Sequence, residues 1–120
     1  MSWVTVDLSE DPAGGTLLRL EHVAHVSDDW WDRFGPGAVG VGWDQALLGL
    51  DQHLTTNASS SPETATEWLS SEQGKRFVRE SSDAWGDASM ASGTATDLAR
   101  AAAERTRAFY TGETVESEDG

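Results

Sequence analysis

The sequence predicts an α+β protein: a short antiparallel β-hairpin packed on one long helix, followed by a C-terminal helical extension. Three observations carry that prediction. Two stretches near the start alternate apolar and polar residues around a Pro/Gly turn. A glycine-rich stretch, Phe34 to Leu54, then places apolar residues at three- and four-residue steps. Downstream, cap residues precede further runs of helical periodicity. A chain of 120 residues fits one domain-sized unit with a modest core. Its expected organisation is hairpin plus long helix over 1–55, a helical extension over 56–112, and an acidic, aperiodic tail over 113–120 read as disordered.

The first strand is expected over Trp3 to Leu8, with Val4, Val6 and Leu8 on one face and Trp3, Thr5 and Asp7 on the other. Ser9 to Gly15 has the composition of a turn. Thr16 to Val26 reads as the second strand, with Leu18, Leu20, His22 and Ala24 sharing a face. The short polar connection makes the pair an antiparallel hairpin. Ser27 to Phe34 is a loop or a short helical turn, capped by Ser27, Asp28 or Asp29. Trp30, Trp31 and Phe34 crowd that segment, and close one end of the core or the mouth of a cavity.

The long helix opens after the Gly35-Pro36-Gly37 turn and ends near Leu54. Val39, Trp43, Ala46, Leu47, Leu50 and Leu54 form its expected apolar face, with Asp44, Gln45, Asp51 and Gln52 off it. Gly40, Gly42 and Gly49 each cost roughly 1 kcal/mol against alanine. They imply a close neighbour, for which tight packing on the sheet is the simplest explanation. Thr55 to Ser61 is a loop. Ser61-Pro62-Glu63 is a helix start, giving a short helix to Ser70 that carries Trp68 and Leu69. A further helix is expected from Ser71 to Ala91, with Phe77, Ser81, Ala84, Trp85 and Ala88 on its face and Val78 alongside. The last runs from Thr96 to Thr111 with Leu98, Ala101, Ala102, Arg105 and Phe109, and stops at Gly112.

Composition excludes several classes. The formal net charge of −13 repels phosphate backbones and anionic bilayers, so neither nucleic acid nor membrane is expected as a partner. No apolar run is long enough to span a bilayer and no signal pattern opens the chain. With no cysteine there is no disulfide and no thiolate zinc site, which fits a cytoplasmic location. His22 and His25 point to opposite faces of a strand and His53 is remote, so no metal site is expected. No nucleophile elbow and no phosphate-binding glycine loop is present.

The order of strand, Gly-Gly-Thr-Leu-Leu-Arg-Leu-Glu-His strand, acidic-Trp loop, Gly-Pro-Gly and glycine-rich helix with Trp-Asp and Leu-Leu resembles the C-terminal half of the SRPBCC superfamily. The nearest likeness is to the heat-shock-protein ATPase activator homologues of actinobacterial form. The resemblance covers Trp3 to about Leu54. Glu67 to Gly112 is similar to a helical extension of actinobacterial members. It implies a partial helix-grip fold, in which a curved antiparallel sheet wraps a long helix around an apolar cavity. The strand, two short helices and further strands that open the family's domain have no counterpart here.

Three functions follow as expectations. The first is a module binding a small hydrophobic molecule between the hairpin face (Val4, Val6, Leu18, Leu20, His22) and the helix (Trp43, Leu47, Leu50), with Trp30 or Trp31 at the mouth. The second is a ligand-free protein-interaction or chaperone-associated module. The third is a cyclase-type enzyme with His22 as base; otherwise no catalytic residue and no cofactor is assigned. A lone hairpin is marginal in water. Either the downstream helices complete the core or a second chain does, and Ala84, Trp85, Ala88 and Ala91, with Ala101, Ala102, Ala103 and Phe109, mix small residues with aromatics in a face that packs within the chain or serves as a homodimer or partner surface.

Overall fold

The structure is a computed structural model that describes residues 2–57 and 61–113. Two strands, β1 (Ser2–Glu10) and β2 (Thr16–Ala24), precede five helices: α1 (Asp28–Phe34), α2 (Gly37–Thr56), α3 (Pro62–Ser70), α4 (Glu72–Ala91) and α5 (Thr96–Tyr110). The fold is α+β as expected. Beyond Glu113 the acidic tail lies outside the described residues. No helix among the described residues is long and apolar enough to cross a membrane.

The hairpin forms because the alternating stretches meet across a tight loop. Asp11 N–H donates to Gly15 O, Gly14 N–H donates back to Asp11 O, and the Asp11 carboxylate takes the Ala13 amide. Gly14 and Gly15 sit at φ 103° and 90°, where a side chain would be strained. The antiparallel register sets Val4 opposite His22, Val6 opposite Leu20 and Leu8 opposite Leu18, so these six share one face. β1 is longer than the alternation predicted, and β2 stops at Ala24 rather than Val26.

Ser27 is the cap of α1; its hydroxyl accepts from Trp30 N–H, and Asp28 and Asp29 lie in the first turn. Ser61 and Ser71 do the same for α3 and α4. α2 runs two residues past Leu54 and is closed by Asn57 in the left-handed region.

The core sits among the helices, not beneath the sheet. Phe34, Ala38, Val41, Val78, Ala99, Ala102, Ala103 and Ala108 are buried, whereas no hairpin side chain is. The expected apolar face of α2 is therefore a correction. Val39, Leu47, Leu50 and Leu54 stay exposed, while Gly37, Ala38, Gly40 and Val41 are the buried residues. The physical reason is thickness. A Cβ on Gly40 would stand 2.1 Å from the Trp85 indole, so only glycine lets that ring lie flat against α2. Gly40 and Gly42 serve helix-on-helix packing, against Trp85 and Tyr110, not helix-on-sheet packing, whereas Gly49 faces open space.

The same logic shifts the faces of α4 and α5. Gly86 and Ala103 approach so closely that a Cβ on Gly86 would be 3.1 Å from that of Ala103. Val78, Ser81, Ser82, Gly86 and Ser89 of α4 are buried against the helical core, while Ala84 and Ala88 are exposed. On α5, Ala99, Ala102, Ala103, Thr106 and Ala108 are buried, whereas Leu98 and Phe109 are exposed. Polar links to the preceding segments complete the body. Thr106 donates to Phe34 O at 3.1 Å, Arg105 to Arg33 O at 3.1 Å, and the Tyr110 hydroxyl to Ala38 O.

Candidate functional site

β2 and α2 touch at His22 and Trp43, and beside that contact the space between them is a cavity of about 430 Å³. Its roof is the inward face of β2: Leu18, Leu20, His22 and Ala24. Its floor is α2, through Val39, Gly40, Trp43, Asp44 and Leu47. Trp30 and Trp31 of α1 close one end with Val26, Gly35 and Pro36, and Trp85 reaches in from α4. Four of the six tryptophans of the chain thus line one space.

Two polar groups break the apolar lining. Trp43 Nε1–H donates to His22 Nδ1 at 3.0 Å, and the rings meet edge to face with centroids 5.7 Å apart. This bond ties the hairpin to the helical body. It also fixes the imidazole chemistry. With Nδ1 used as acceptor, a neutral ring carries its proton on Nε2 and offers a donor, with no free lone pair for a base. Asp44 is the second group. Its Oδ2 accepts from Trp85 Nε1–H at 3.0 Å and from the Ser81 hydroxyl at 2.5 Å. The carboxylate is half-buried at the border of the cavity and pins the Trp85 ring against Gly40.

The structure brings Leu18, Leu20, His22, Trp30, Trp31, Trp43 and Leu47 to this one space and leaves Leu50 out. Leu50 lies about 10 Å farther along α2 than Trp43, at a rise of about 1.5 Å per residue. Val4 and Val6 share the face of β2 but do not line the cavity; they are 49% and 51% exposed. The helical body lies under β2, and β1 overhangs it.

Sequence reasoning missed Trp85 as a lining residue and placed Asp44 only off the apolar face of the long helix. The available signal was the pairing of a glycine-thinned helix with Trp85, the one tryptophan flanked on its own helix by small residues. A wider groove of about 470 Å³ lies on the opposite flank of Asp44, between Leu48, Trp68, Arg76 and Phe77. It has no comparable ring of indoles. No cluster of three or more His, Asp or Glu suited to a metal ion occurs among the described residues.

No protein-family model matches the chain, and neither a curated protein nor a solved structure matches it at a significant level.

Proposed function

We propose that this chain is a ligand-binding module that holds a small apolar molecule between β2 and α2. The observation that carries the reading is the single 430 Å³ space ringed by Trp30, Trp31, Trp43 and Trp85, with His22 and Asp44 as the polar points. A cavity of that size with a mostly apolar lining and few polar groups has the character of small-molecule sites. The indole faces favour a planar or aromatic ligand. A polar end that accepts from His22 Nε2–H and meets the Asp44 carboxylate would fix its orientation. The cysteine-free composition accords with a cytoplasmic setting.

The test is a titration with N-phenyl-1-naphthylamine, a neutral aromatic probe, read by quenching of tryptophan emission. Saturable binding with a Kd on the order of 10 μM is expected. Leu20→Trp, which fills the roof of the cavity, should abolish it while the helical signal stays unchanged. Absence of saturable quenching, or binding indifferent to Leu20→Trp, overturns the reading.

A further inference from the structure

Among the described residues, the nine-residue strand β1 pairs only with β2, which leaves its other edge unpaired and its apolar row exposed. Val4, Val6 and Leu8 are 49%, 51% and 66% exposed. Long, flat, apolar edges are what natural sheets cover or interrupt, and β1 has no proline, bulge or lysine to do so. We propose that the occupant of this edge is a second copy of the same chain, paired antiparallel through β1 about a two-fold axis at Val6. The proposal is independent of whether the cavity is filled.

Three features select this partner and this register. Backbone direction comes first. Asp11 N–H bonds Gly15 O beside the turn, so, counting in twos, Ser9, Asp7, Thr5 and Trp3 bond to β2. Ser2, Val4, Val6, Leu8 and Glu10 then direct their amides and carbonyls outward. A two-fold at Val6 pairs those outward groups over the whole strand. Charge comes second. In a chain of net charge −13, a second copy must avoid setting acid against acid. The register places Asp7 opposite the partner's Thr5 and Glu10 opposite the partner's Ser2, and at the close-approach Thr5 position a hydroxyl can donate to the carboxylate. Val4 meets the partner's Leu8 on the apolar face.

Space comes third. β2 is also self-complementary on paper, since a two-fold at Leu20 would set Arg19 against Glu21. The helical body lies under β2, however. With strands about 4.8 Å apart, that pairing would bring the two α2 helices to about 5 Å, inside the 8–10 Å at which helices pack. Pairing through β1 separates them by about 14 Å. The result is a four-stranded sheet roofing two bodies, and it supplies the strands that a lone hairpin lacks.

Sedimentation velocity of the full chain over a concentration series tests this. A monomer–dimer equilibrium is expected. Thr5→Asp sets like charges opposite each other at two symmetric positions and should weaken it about tenfold or more; Thr5→Lys pairs with Asp7 and should tighten it several-fold. Ala88→Lys adds the same charge on the exposed face of α4 and should leave the equilibrium unchanged, separating edge pairing from a general charge effect or a helix-face dimer. Both positions are exposed, and circular dichroism checks that the three variants stay folded. A monomer at every concentration, a dimer indifferent to both Thr5 variants, or a dimer that Ala88→Lys alters as Thr5→Lys does would overturn the proposal.

Discussion

The two halves of this molecule solve the same problem in opposite ways. The helical body buries small residues closely: Gly40 under Trp85, Gly86 against Ala103, Thr106 against the chain entering α2. The hairpin carries larger apolar side chains, and nearly all of them remain exposed. Size is therefore a poor guide to burial here. What decides it is whether a neighbouring element comes close enough, and only the glycine- and alanine-lined faces permit that approach. The residues too large for close packing are the ones left to line a cavity.

That contrast breaks most readily at Trp85, which packs on α2 and also lines the cavity beneath β2. Trp85→Ala should cost about 3 kcal/mol, because it empties the space over Gly40 and leaves Asp44 with one donor fewer. Gly40→Val should be nearly as damaging, by about 2 kcal/mol, despite its better helix propensity. Denaturant unfolding followed by the helical signal measures both. If Gly40→Val were stabilising, the close approach of α2 and α4 would be wrong.

Asp44→Ala should follow at about 2 kcal/mol, since it strands the Trp85 indole N–H and the Ser81 hydroxyl. It should also lower affinity for the naphthylamine probe. His22→Ala, by contrast, frees the hairpin from Trp43 without disturbing the helical core. It should change global stability by less than about 1 kcal/mol and act mainly on probe binding. Equal effects of the two variants on unfolding would erase the distinction between body and hairpin.

The C-terminal end of the body adds a pH-dependent feature. Arg107 bonds Glu104 and Glu113 together. The hydrogen bond from Arg107, helped by Thr111, holds Glu113 down at about 2, and Arg107 also lowers Glu104. Both carboxyls are lowered relative to the unfolded chain. Their contribution is therefore complete above the ordinary glutamate value of 4.5 and disappears as pH falls through the lowered values. Carboxyl NMR titration should place the Glu113 midpoint near 2, and Arg107→Ala should return it towards 4.5. A midpoint already at 4.5 in the unaltered chain would show that the clasp does not form. The smallest effect is expected at Ser82, fully buried with its hydroxyl lacking a partner among the described residues. Ser82→Ala should change the unfolding midpoint by the equivalent of about 0.5 kcal/mol or less, in either direction.

Local chemistry made the elements legible in the sequence. Alternation marked the strands, Ser61 and the Ser71 boundary marked helix starts, and Gly112 marked a stop. Seven of the ten candidate lining residues also converge, because a strand face and a helix face in chain order leave few ways to meet. What periodicity does not encode is which of two helix faces wins a neighbour. Val39 and Leu47 looked like core, yet the adjacent glycine face was the one Trp85 could approach. Leu50 failed for a related reason: it shares the face of Trp43 but lies beyond the reach of β2.

The most direct test of this division is amide hydrogen exchange with and without N-phenyl-1-naphthylamine at one protein concentration. This division sets a self-sufficient helical body against a hairpin held over a cavity by the His22–Trp43 bond. It predicts slow exchange in α4 and α5 under both conditions. It also predicts fast exchange in β2 that slows when the probe occupies the cavity. Hairpin amides as slow as those of α4 and α5, unchanged by the probe, would contradict it.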